Sequence, residues 1–498
     1  MAHTAQITDG SGSTRLDRRR FLAASAAAAG GAALAGPFAG FLAAPAGAAP
    51  SVALGPVPDL RDGIVRLHLP SGFQYRSFHD TEQPVTLDDG TVLPGRHDGM
   101  AAFRGRLGNV VLVRNHEVNG PVPAFGDASK AYDPMTGGGT TTIEVTRYGE
   151  VLRSFTSLNG TQMNCSGGPM PWGSWVTCEE TVNGPDVGAD FTGASNVTLT
   201  QPHGFMFEVP SDGESTREPI TAAGRFAHEA VAFDPFRGAL YMTEDNFGFP
   251  SGLYRYLPDE HPLRRQRIGN SGRLQMLAVH GVPQADLAAT QPEGATYRVS
   301  WVDIDDPAPS FPYTPGVPAP TSNNDAINYV GNQGRAQGAA WFSRLEGCVY
   351  DRGTVYFCST QGGGPAEPGP SDTVQGFGNG FGQVWAYDTF SSRLRLVYQS
   401  PGPDVLDFPD NVTTSRRGTL VLCEDNVNDN YLRGLSSAGK LWDIALNRLV
   451  SSITGAPRFN DEFAGATFSP DGSTLFVNIQ ASRGMSFAIW GPWHKIGV

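Results

Sequence analysis

The sequence predicts an all-β protein, a six-bladed β-propeller with long inter-blade loops and one proline-rich insert. Three observations support this fold class: a strand unit that recurs along the chain, strands that are short and bounded by turn residues, and a turn-rich composition. The 498 residues include 62 glycines and 38 prolines, and only 17% of them are charged. Such a composition is typical of a folded, loop-rich protein and not of a helical bundle.

The recurring unit is a glycine followed by a short apolar strand that ends in polar residues. Four copies align without gaps: GSWVTCEE (173–180), GALYMTED (238–245), GTVYFCST (353–360) and GTLVLCED (418–425). A longer copy covers 472–480, and a looser one covers 108–117. The strands are rich in β-branched and aromatic residues, and Gly, Pro, Asp and Ser separate them, as in hairpins.

A second element precedes four of the glycines and consists of an acid, an apolar strand and a turn. Its copies are HEAVAFDPFRG (228–238), LEGCVYDRG (345–353), FPDNVTTSRRG (408–418) and DEFAGATFSPDG (461–472). Repeated hairpin units indicate a propeller, and six copies predict six blades. Paired β-sandwiches or two separate β domains do not explain the repeat. We expect a single propeller domain over residues 49–498, with the insert at 258–324.

The N-terminal residues 1–48 have the pattern of a twin-arginine (Tat) export signal. DRRRFL (17–22) gives the arginine pair, a spacer, and Phe21 and Leu22, and an Ala/Gly-rich apolar stretch follows. Small residues at Ala44, Ala46 and Ala48 provide cleavage sites. We therefore expect the Tat translocase as a partner during export, and a periplasmic, cell-surface or extracellular protein with no membrane contact after cleavage. An uncleaved anchor is the alternative.

The charge balance is acidic, with 36 Lys+Arg against 49 Asp+Glu and a net charge of −13. Nonspecific nucleic-acid binding needs a basic surface, so this class of partner is excluded.

Acidic residues recur at matching strand ends, where a propeller brings residues from all blades to one channel mouth. Glu229, Glu346, Asp410 and Glu462 occupy such positions. Isolated acids would be solvated turn residues or caps, but converging carboxylates repel one another and need a cation. Oxygen ligands suit hard cations such as Ca²⁺. The pattern predicts a metal site.

Cys178 and Glu179 follow one another at such a strand end. A thiolate among carboxylates favours a transition metal, because thiolates do not suit Ca²⁺. A disulfide between Cys178 and Cys165 is the competing interpretation, since disulfides form outside the cytosol.

Arg344 precedes Glu346 by two residues, so in an extended stretch both side chains lie on the same side. An arginine beside a metal cluster is a suitable phosphate clamp, and a salt bridge to a neighbouring acid is the alternative. For Arg225, in GRFAHEA (224–230), a salt bridge is favoured.

Several of these stretches together resemble the PhoX family of bacterial alkaline phosphatases: NCSGGPMPWGSWVTCEE (164–180), GRFAHEA, RLEG, PDN and EFAGATFSPDGSTLFVNIQ (462–480). The resemblance spans nearly the whole chain after the export signal. It implies a six-bladed propeller with an iron–calcium cluster at one channel mouth. Carried over by motif, it implies Cys178, Glu179, Glu229, Glu346, Asp410 and Glu462 as ligands of Ca²⁺ and Fe³⁺, and Arg344 as the catalytic residue that holds phosphate.

The predicted function is therefore metal-dependent hydrolysis of small phosphomonoesters. One alternative is a Ca²⁺-dependent propeller lactonase or phosphotriesterase, which would use the acidic mouth without iron or Arg344. The other is a non-catalytic, calcium-stabilised binding propeller, with the proline-rich insert as its recognition element or as a lid.

Overall fold

The computed structural model describes residues 52–367 and 376–498. The predicted export signal lies outside the described residues. Within them, no helix is long and apolar enough to cross a membrane. The described residues form 26 strands and two α-helices, with a few short 3-10 turns.

In chain order the strands are β1 (Leu54–Pro58), β2 (Val65–Pro70), β3 (Gln74–Phe78), β4 (His97–Arg104), β5 (Val110–His116), β6 (Gly138–Val145), β7 (Val151–Thr161), β8 (Asn164–Met170), β9 (Ser174–Glu179), β10 (Met206–Pro210), β11 (His228–Asp234), β12 (Ala239–Glu244), β13 (Leu253–Pro258), β14 (Gly272–Val279), β15 (Thr296–Asp303), β16 (Leu345–Asp351), β17 (Thr354–Ser359), β18 (Gln383–Asp388), β19 (Arg393–Gln399), β20 (Pro409–Thr414), β21 (Leu420–Glu424), β22 (Tyr431–Leu435), β23 (Leu441–Asn447), β24 (Glu462–Phe468), β25 (Thr474–Gln480) and β26 (Met485–Trp490). The helices are α1 (Pro262–Arg265) and α2 (Asn323–Ala336).

The strands build antiparallel sheet units around a ring of inner strands. The units are β4–β7, β8–β10, β11–β14, β16–β19, β20–β23 and β24–β26 with β3. Their first strands contact one another in the closed order β4, β8, β11, β16, β20, β24 and back to β4. The predicted all-β, propeller-like fold is confirmed, and this ring is consistent with the predicted six blades.

Apolar residues on both faces of the sheets hold the ring together. Six clusters of buried apolar side chains each lie between two neighbouring sheet units. Along β12, Leu240 and Met242 belong to one cluster, and Ala239 and Tyr241 belong to the next. Because successive residues of a strand face opposite sides, strands buried on both faces read as continuous apolar runs. This is why the recurring units carry so few charges before their polar ends.

The chain closes the ring by pairing an early strand with the last one. β3 is antiparallel to β26 and completes the sheet that begins with β24. β2 pairs with β23, and β1 pairs with β2, so that the sheet of β20–β23 is also extended by early residues.

The predicted insert, 258–324, contains regular strands as well as a loop. β14 is the outer strand of its sheet unit, and β15 joins β14 to β19 and links two units into one nine-stranded sheet. The proline-rich stretch follows β15 and ends at α2, where the Ser322 hydroxyl accepts a hydrogen bond from the Asp325 N–H and caps the helix. The sequence pattern did not distinguish β14 and β15 from the loop.

Candidate metal centre

Five inner strands begin with one ladder pair and then a β-bulge. In β24 three pairs, from Glu462 to Ala464, precede the bulge. The residue just after the last pair before the bulge lies at the same place in every unit. In five units the residue is acidic or a cysteine: Asp98, Cys165, Glu229, Glu346 and Asp410. The sixth equivalent is Gly465, at φ +61, where an added Cβ would lie 2.3 Å from the Asp98 carbonyl oxygen. We call these six residues the inner ring.

The ends of the second strands supply further groups beside the inner ring. In five units the residue that follows the second strand donates its N–H to the carbonyl of the residue that precedes the inner strand. The donor–acceptor pairs are Glu117 to Arg96, Glu180 to Met163, Asp245 to Ala227, Thr360 to Arg344 and Asp425 to Phe408. Four of the five donors are acidic, so the two sets of carboxylates meet at one mouth of the channel.

Three groups of potential ligands adjoin one another at this mouth: Cys165 with Glu180 and Glu229, Glu229 with Glu346 and Asp410, and Asp410 with Asp425 and Glu462. In each group the ligand atoms all lie within 4.8 Å of one another. Glu229 belongs to the first two groups and Asp410 to the last two. The three groups therefore form one continuous cluster.

The donor atoms differ from one end of the cluster to the other. The first group contains a thiol, which favours a transition metal, and the other two contain only carboxylate oxygens, which favour a hard cation such as Ca²⁺. Such a mixed donor set fits a cluster of unlike metals better than it fits a single calcium ion.

The electrostatics of the inner ring also fit bound cations. Burial raises the pKa of Glu229 well above its ordinary value, and the neighbouring Glu180 and Asp410 raise it further. Burial likewise raises the pKa of Glu346, to which Asp245 and Asp410 add. Among the described residues, the buried Oε2 of Glu229 has no hydrogen-bond partner. A cation would satisfy this oxygen and offset the repulsion between the carboxylates.

Cys165 lies in the same environment. Burial raises the pKa of its thiol well above the ordinary value, and the nearby Glu229 and Glu180 add to the shift. A thiolate at this position needs a metal to stabilise it. All five cysteines are free and buried, so the Cys165–Cys178 disulfide that we considered is not formed.

Arg344 lies at the entrance to the inner strand β16, next to the cluster. Its guanidinium donates to Asp245 at 3.1 and 2.6 Å, and to Glu346 at 2.8 Å. It also stands over the Phe247 ring, 5.3 Å from the centroid. The two carboxylates and the ring orient a buried, charged fork beside the candidate ligands. The salt bridges named as the alternative are present, and phosphate binding by this residue stays a prediction.

The structure brings together Glu229, Glu346, Asp410 and Glu462 but not Cys178 and Glu179. Cys178 lies on β9, the second strand, and packs in the same apolar cluster as Cys165, but it belongs to none of the three ligand groups. Glu179 is buried and accepts hydrogen bonds from the backbone of Gln162, Gly204 and Phe205 and from His203. Cys165 and Glu180 lie in the cluster of potential ligands instead, so the structure differs here from the assignment made from the sequence.

Sequence reasoning also missed Asp98. Burial raises its pKa well above the ordinary value, and Glu117 and Asp410 add to the shift. The signal was present, because HDGMAA (97–102) has the same pattern as HEAVAF (228–233). Arg225 forms the salt bridge that we favoured, with both oxygens of Asp186 at 2.7 and 2.8 Å.

The family model described as alkaline phosphatase PhoX matches residues 52–154 and 147–482. The match covers most of the chain, and the chain belongs to the PhoX family of alkaline phosphatases. The propeller-like fold with a cluster of potential metal ligands at the channel mouth agrees with this class. The predicted family is thereby confirmed, and so is its enzyme class, the phosphoric monoester hydrolases. A search of curated proteins finds no match.

Solved structures include similar folds. One is Pseudomonas fluorescens PhoX in complex with vanadate, a transition state analogue. Its sequence is 17% identical, the TM-score is 0.60, and the alignment covers 89% of this chain and 98% of that chain. The gluconolactonase XC5397 from Xanthomonas campestris is more distant, with 12% sequence identity and a TM-score of 0.37. The alignment covers 89% of this chain and 98% of that chain. Virginiamycin B lyase from Staphylococcus aureus has 10% sequence identity and a TM-score of 0.36, and the alignment covers 84% of this chain and 99% of that chain.

Proposed function

We propose that this protein is a metal-dependent phosphomonoesterase that uses an iron–calcium cluster at the channel mouth. The observation that carries the proposal is the row of three adjoining ligand groups with Arg344 beside its middle group. The family membership and the similarity to a PhoX structure that contains vanadate support it.

We assign the metals by ligand chemistry. Cys165, Glu180 and Glu229 would hold iron, because only this group includes sulfur. Asp410, Asp425 and Glu462 would hold calcium, because all three are hard oxygen ligands. When bound, such cations neutralise charge on phosphoryl oxygens and lower the pKa of water.

Arg344 would position the phosphoryl group. Its fork has a charge and a geometry that match two non-bridging oxygens, and hydrogen bonds from a guanidinium to phosphate are strong in a site shielded from water. Asp245 and Glu346 limit its rotamers before substrate arrives, which lowers the entropy cost of binding.

We also propose that the chain is exported by the Tat route and that its partner in catalysis is a small phosphate ester. Replacing Arg18 and Arg19 by lysine should retain the precursor in the cytoplasm, which cell fractionation would detect. Export of this variant at the wild-type level would argue against the proposed route.

The deciding experiment is hydrolysis of p-nitrophenyl phosphate by the exported protein, with metal content measured on the same sample. We expect turnover with Ca²⁺ present, loss of turnover with a chelator, and about one or more iron atoms per chain. Parallel assays with a phosphotriester and a lactone test the alternative hydrolases. Folded, metal-loaded protein that turns over none of the three would contradict an enzymatic role and favour the binding propeller.

A further inference from the structure

In five sheet units, the last residue of the second strand forms the ladder pair that precedes the bulge, and its polar side chain is buried. These residues are His116, Glu179, Glu244, Ser359 and Glu424. In four of the units, this side chain bonds the backbone of the residue three positions before the inner-ring residue. The pairs are His116 with the Gly95 carbonyl, Glu179 with the Gln162 N–H, Ser359 with the Ser343 carbonyl and Glu424 with the Asp407 N–H. We call this contact the anchor bond.

Glu179 makes the anchor bond in the unit that supplies the thiol. Its carboxylate accepts a hydrogen bond from the Gln162 N–H at 2.9 Å, and the backbone leads from there into the bulge that carries Cys165. Glu179 also directly precedes the candidate ligand Glu180 in the chain. Its other hydrogen bonds come from His203, at 2.6 Å, and from two backbone N–H groups of the loop before β10. One buried carboxylate therefore holds both residues that this unit contributes to the cluster.

Glu424 has the equivalent place in the unit of Asp410. It accepts a hydrogen bond from the Asp407 N–H at 3.2 Å and, through its other oxygen, one from the Tyr431 N–H at 3.1 Å. Asp425 follows it in the chain, and Asp410 and Asp425 belong to the same ligand group. The inner strands of the two units, β8 and β20, are three steps apart in the closed order. The two carboxylates therefore act on opposite sides of the mouth.

Each of these two carboxylates is also paired with a buried cation that bridges it to a second acid. The two groups are Glu179–His203–Asp133 and Glu424–Arg433–Asp443. Burial by itself would lower the pKa of His203, but Glu179 and Asp133 raise it to about 9, so the ring is charged at neutral pH. A buried carboxylate in such a network resists displacement, because moving it would leave a buried charge and several N–H donors without partners.

Glu244, the glutamate at this position in a third unit, has different contacts. Its carboxylate accepts hydrogen bonds from the Gly252 N–H and the Tyr254 hydroxyl, at 2.7 and 3.0 Å. The N–H that would complete an anchor bond, that of Phe226, donates to the Gly204 carbonyl instead. Within the described part of the chain, Glu244 shares the residue type, burial and strand position of the two anchors but not the anchor bond. It is therefore their matched control.

We propose that Glu179 and Glu424 are positioning residues of the metal centre, one for each end of the ligand cluster. Glu179 acts through Cys165 and Glu180 on the end with sulfur, and Glu424 acts through the unit of Asp410 on the carboxylate end. The inference rests on the proposed function, with iron at the first end and calcium at the second. Partners that orient the ligands of a metal contribute about 10- to 100-fold to its affinity. The competing assignment is that both carboxylates stabilise only the fold.

The test measures the affinities for iron and calcium separately in the exported, metal-loaded protein. Glu179→Gln and Glu424→Gln keep the size of the side chain, but an amide has one acceptor oxygen and no charge, so it cannot satisfy all the donors. Competition with an iron chelator and with a calcium chelator gives the apparent Kd of each metal. We expect Glu179→Gln to raise the Kd of iron about tenfold or more with little change for calcium, and Glu424→Gln to do the reverse. The control Glu244→Gln should change neither Kd.

A second readout is the thiolate-to-iron charge-transfer absorption, which depends on the geometry of the Cys165 ligand. It should weaken in Glu179→Gln and stay unchanged in Glu424→Gln. His203→Asn is a milder variant, because asparagine can still donate a hydrogen bond to Glu179 but carries no charge. We expect it to lose iron affinity in the same direction by a smaller factor, and it tests the inference even if Glu179→Gln does not fold.

Equal loss of both metals from each anchor variant, in step with a lower unfolding temperature, would overturn the inference in favour of a role in the fold alone. Metal affinities that match those of Glu244→Gln would overturn it too, and so would wild-type protein that lacks either metal. Failure of the metal-loaded protein to hydrolyse p-nitrophenyl phosphate would refute the proposed function alone, since the two metal affinities still decide the roles of Glu179 and Glu424.

Discussion

The two cysteines nearest the mouth should respond in opposite ways to replacement by serine. In Cys178→Ser a hydroxyl is buried in an apolar cluster, which costs about 1–3 kcal/mol of stability when no partner is available. In Cys165→Ser the new hydroxyl can donate to the His228 carbonyl, which lies 3.3 Å from the present sulfur. When wild type and variant are compared in the metal-free form, we expect a fold cost below about 1 kcal/mol there, the net value of one hydrogen bond.

The functional effects should be reversed. Serine is a poor substitute for a thiolate ligand, so Cys165→Ser should lose the transition metal. Its kcat/KM should fall by about 100-fold or more, since even an outer-shell partner of a metal ligand contributes about 10- to 100-fold. Cys178→Ser should keep its metals and its turnover.

The assay combines thermal unfolding, metal analysis by mass spectrometry and steady-state hydrolysis of p-nitrophenyl phosphate on both variants. Each variant is the control for the other, because the substitution is the same and only the strand differs. Loss of iron from Cys178→Ser with full retention in Cys165→Ser would refute the assignment of the inner strand as the source of the thiolate.

Three further outcomes follow from the geometry. Burial raises the pKa of Glu244 from 4.5 to about 7, so the protein should lose stability as pH rises from about 4.5 to about 7. At about 1.4 kcal/mol per pKa unit, this loss is about 3 kcal/mol. Glu244→Gln should remove it, which denaturation of both proteins at pH 5 and pH 8 would measure. Gly347→Ala places a Cβ 2.5 Å from the Val412 nitrogen, and this clash should lower the unfolding temperature and the metal content. Gly213 has open space around it, so the control variant Gly213→Ala should change neither quantity. Arg344→Ala should lower kcat/KM about 10- to 100-fold, the range of one or two charged hydrogen bonds, and unchanged kinetics would remove this residue from the site.

The repeat was sufficient to predict the fold, because strands buried on both faces leave an apolar, turn-bounded signal that recurs with each unit. It also led to four of the ligand candidates, since Glu229, Glu346, Asp410 and Glu462 stand at the start of the strands that prove to be innermost. Each of these acids precedes an apolar strand and a turn, and this order marks the first strand of a hairpin.

The sequence could not show which of two consecutive residues faces the channel. At the end of β9, Glu179 and Glu180 point to different sides, and only the register with β8 decides that Glu180 meets Cys165. The choice of cysteine failed for a related reason. The most regular repeat follows the second strands, so an alignment centred on it selected Cys178 and passed over the bulged inner strand that carries Cys165.

The pairing of β3 with β26 has a consequence for how the protein matures. The ligand cluster draws on residues from Cys165 to Glu462, and the ring that positions them closes only when residues 74–78 meet residues 485–490. Contacts between such distant parts of a chain form late, because they carry the largest loop-closure cost. The metal site is therefore incomplete while the chain is still on the ribosome. Bound metal would indicate that synthesis and ring closure are both complete.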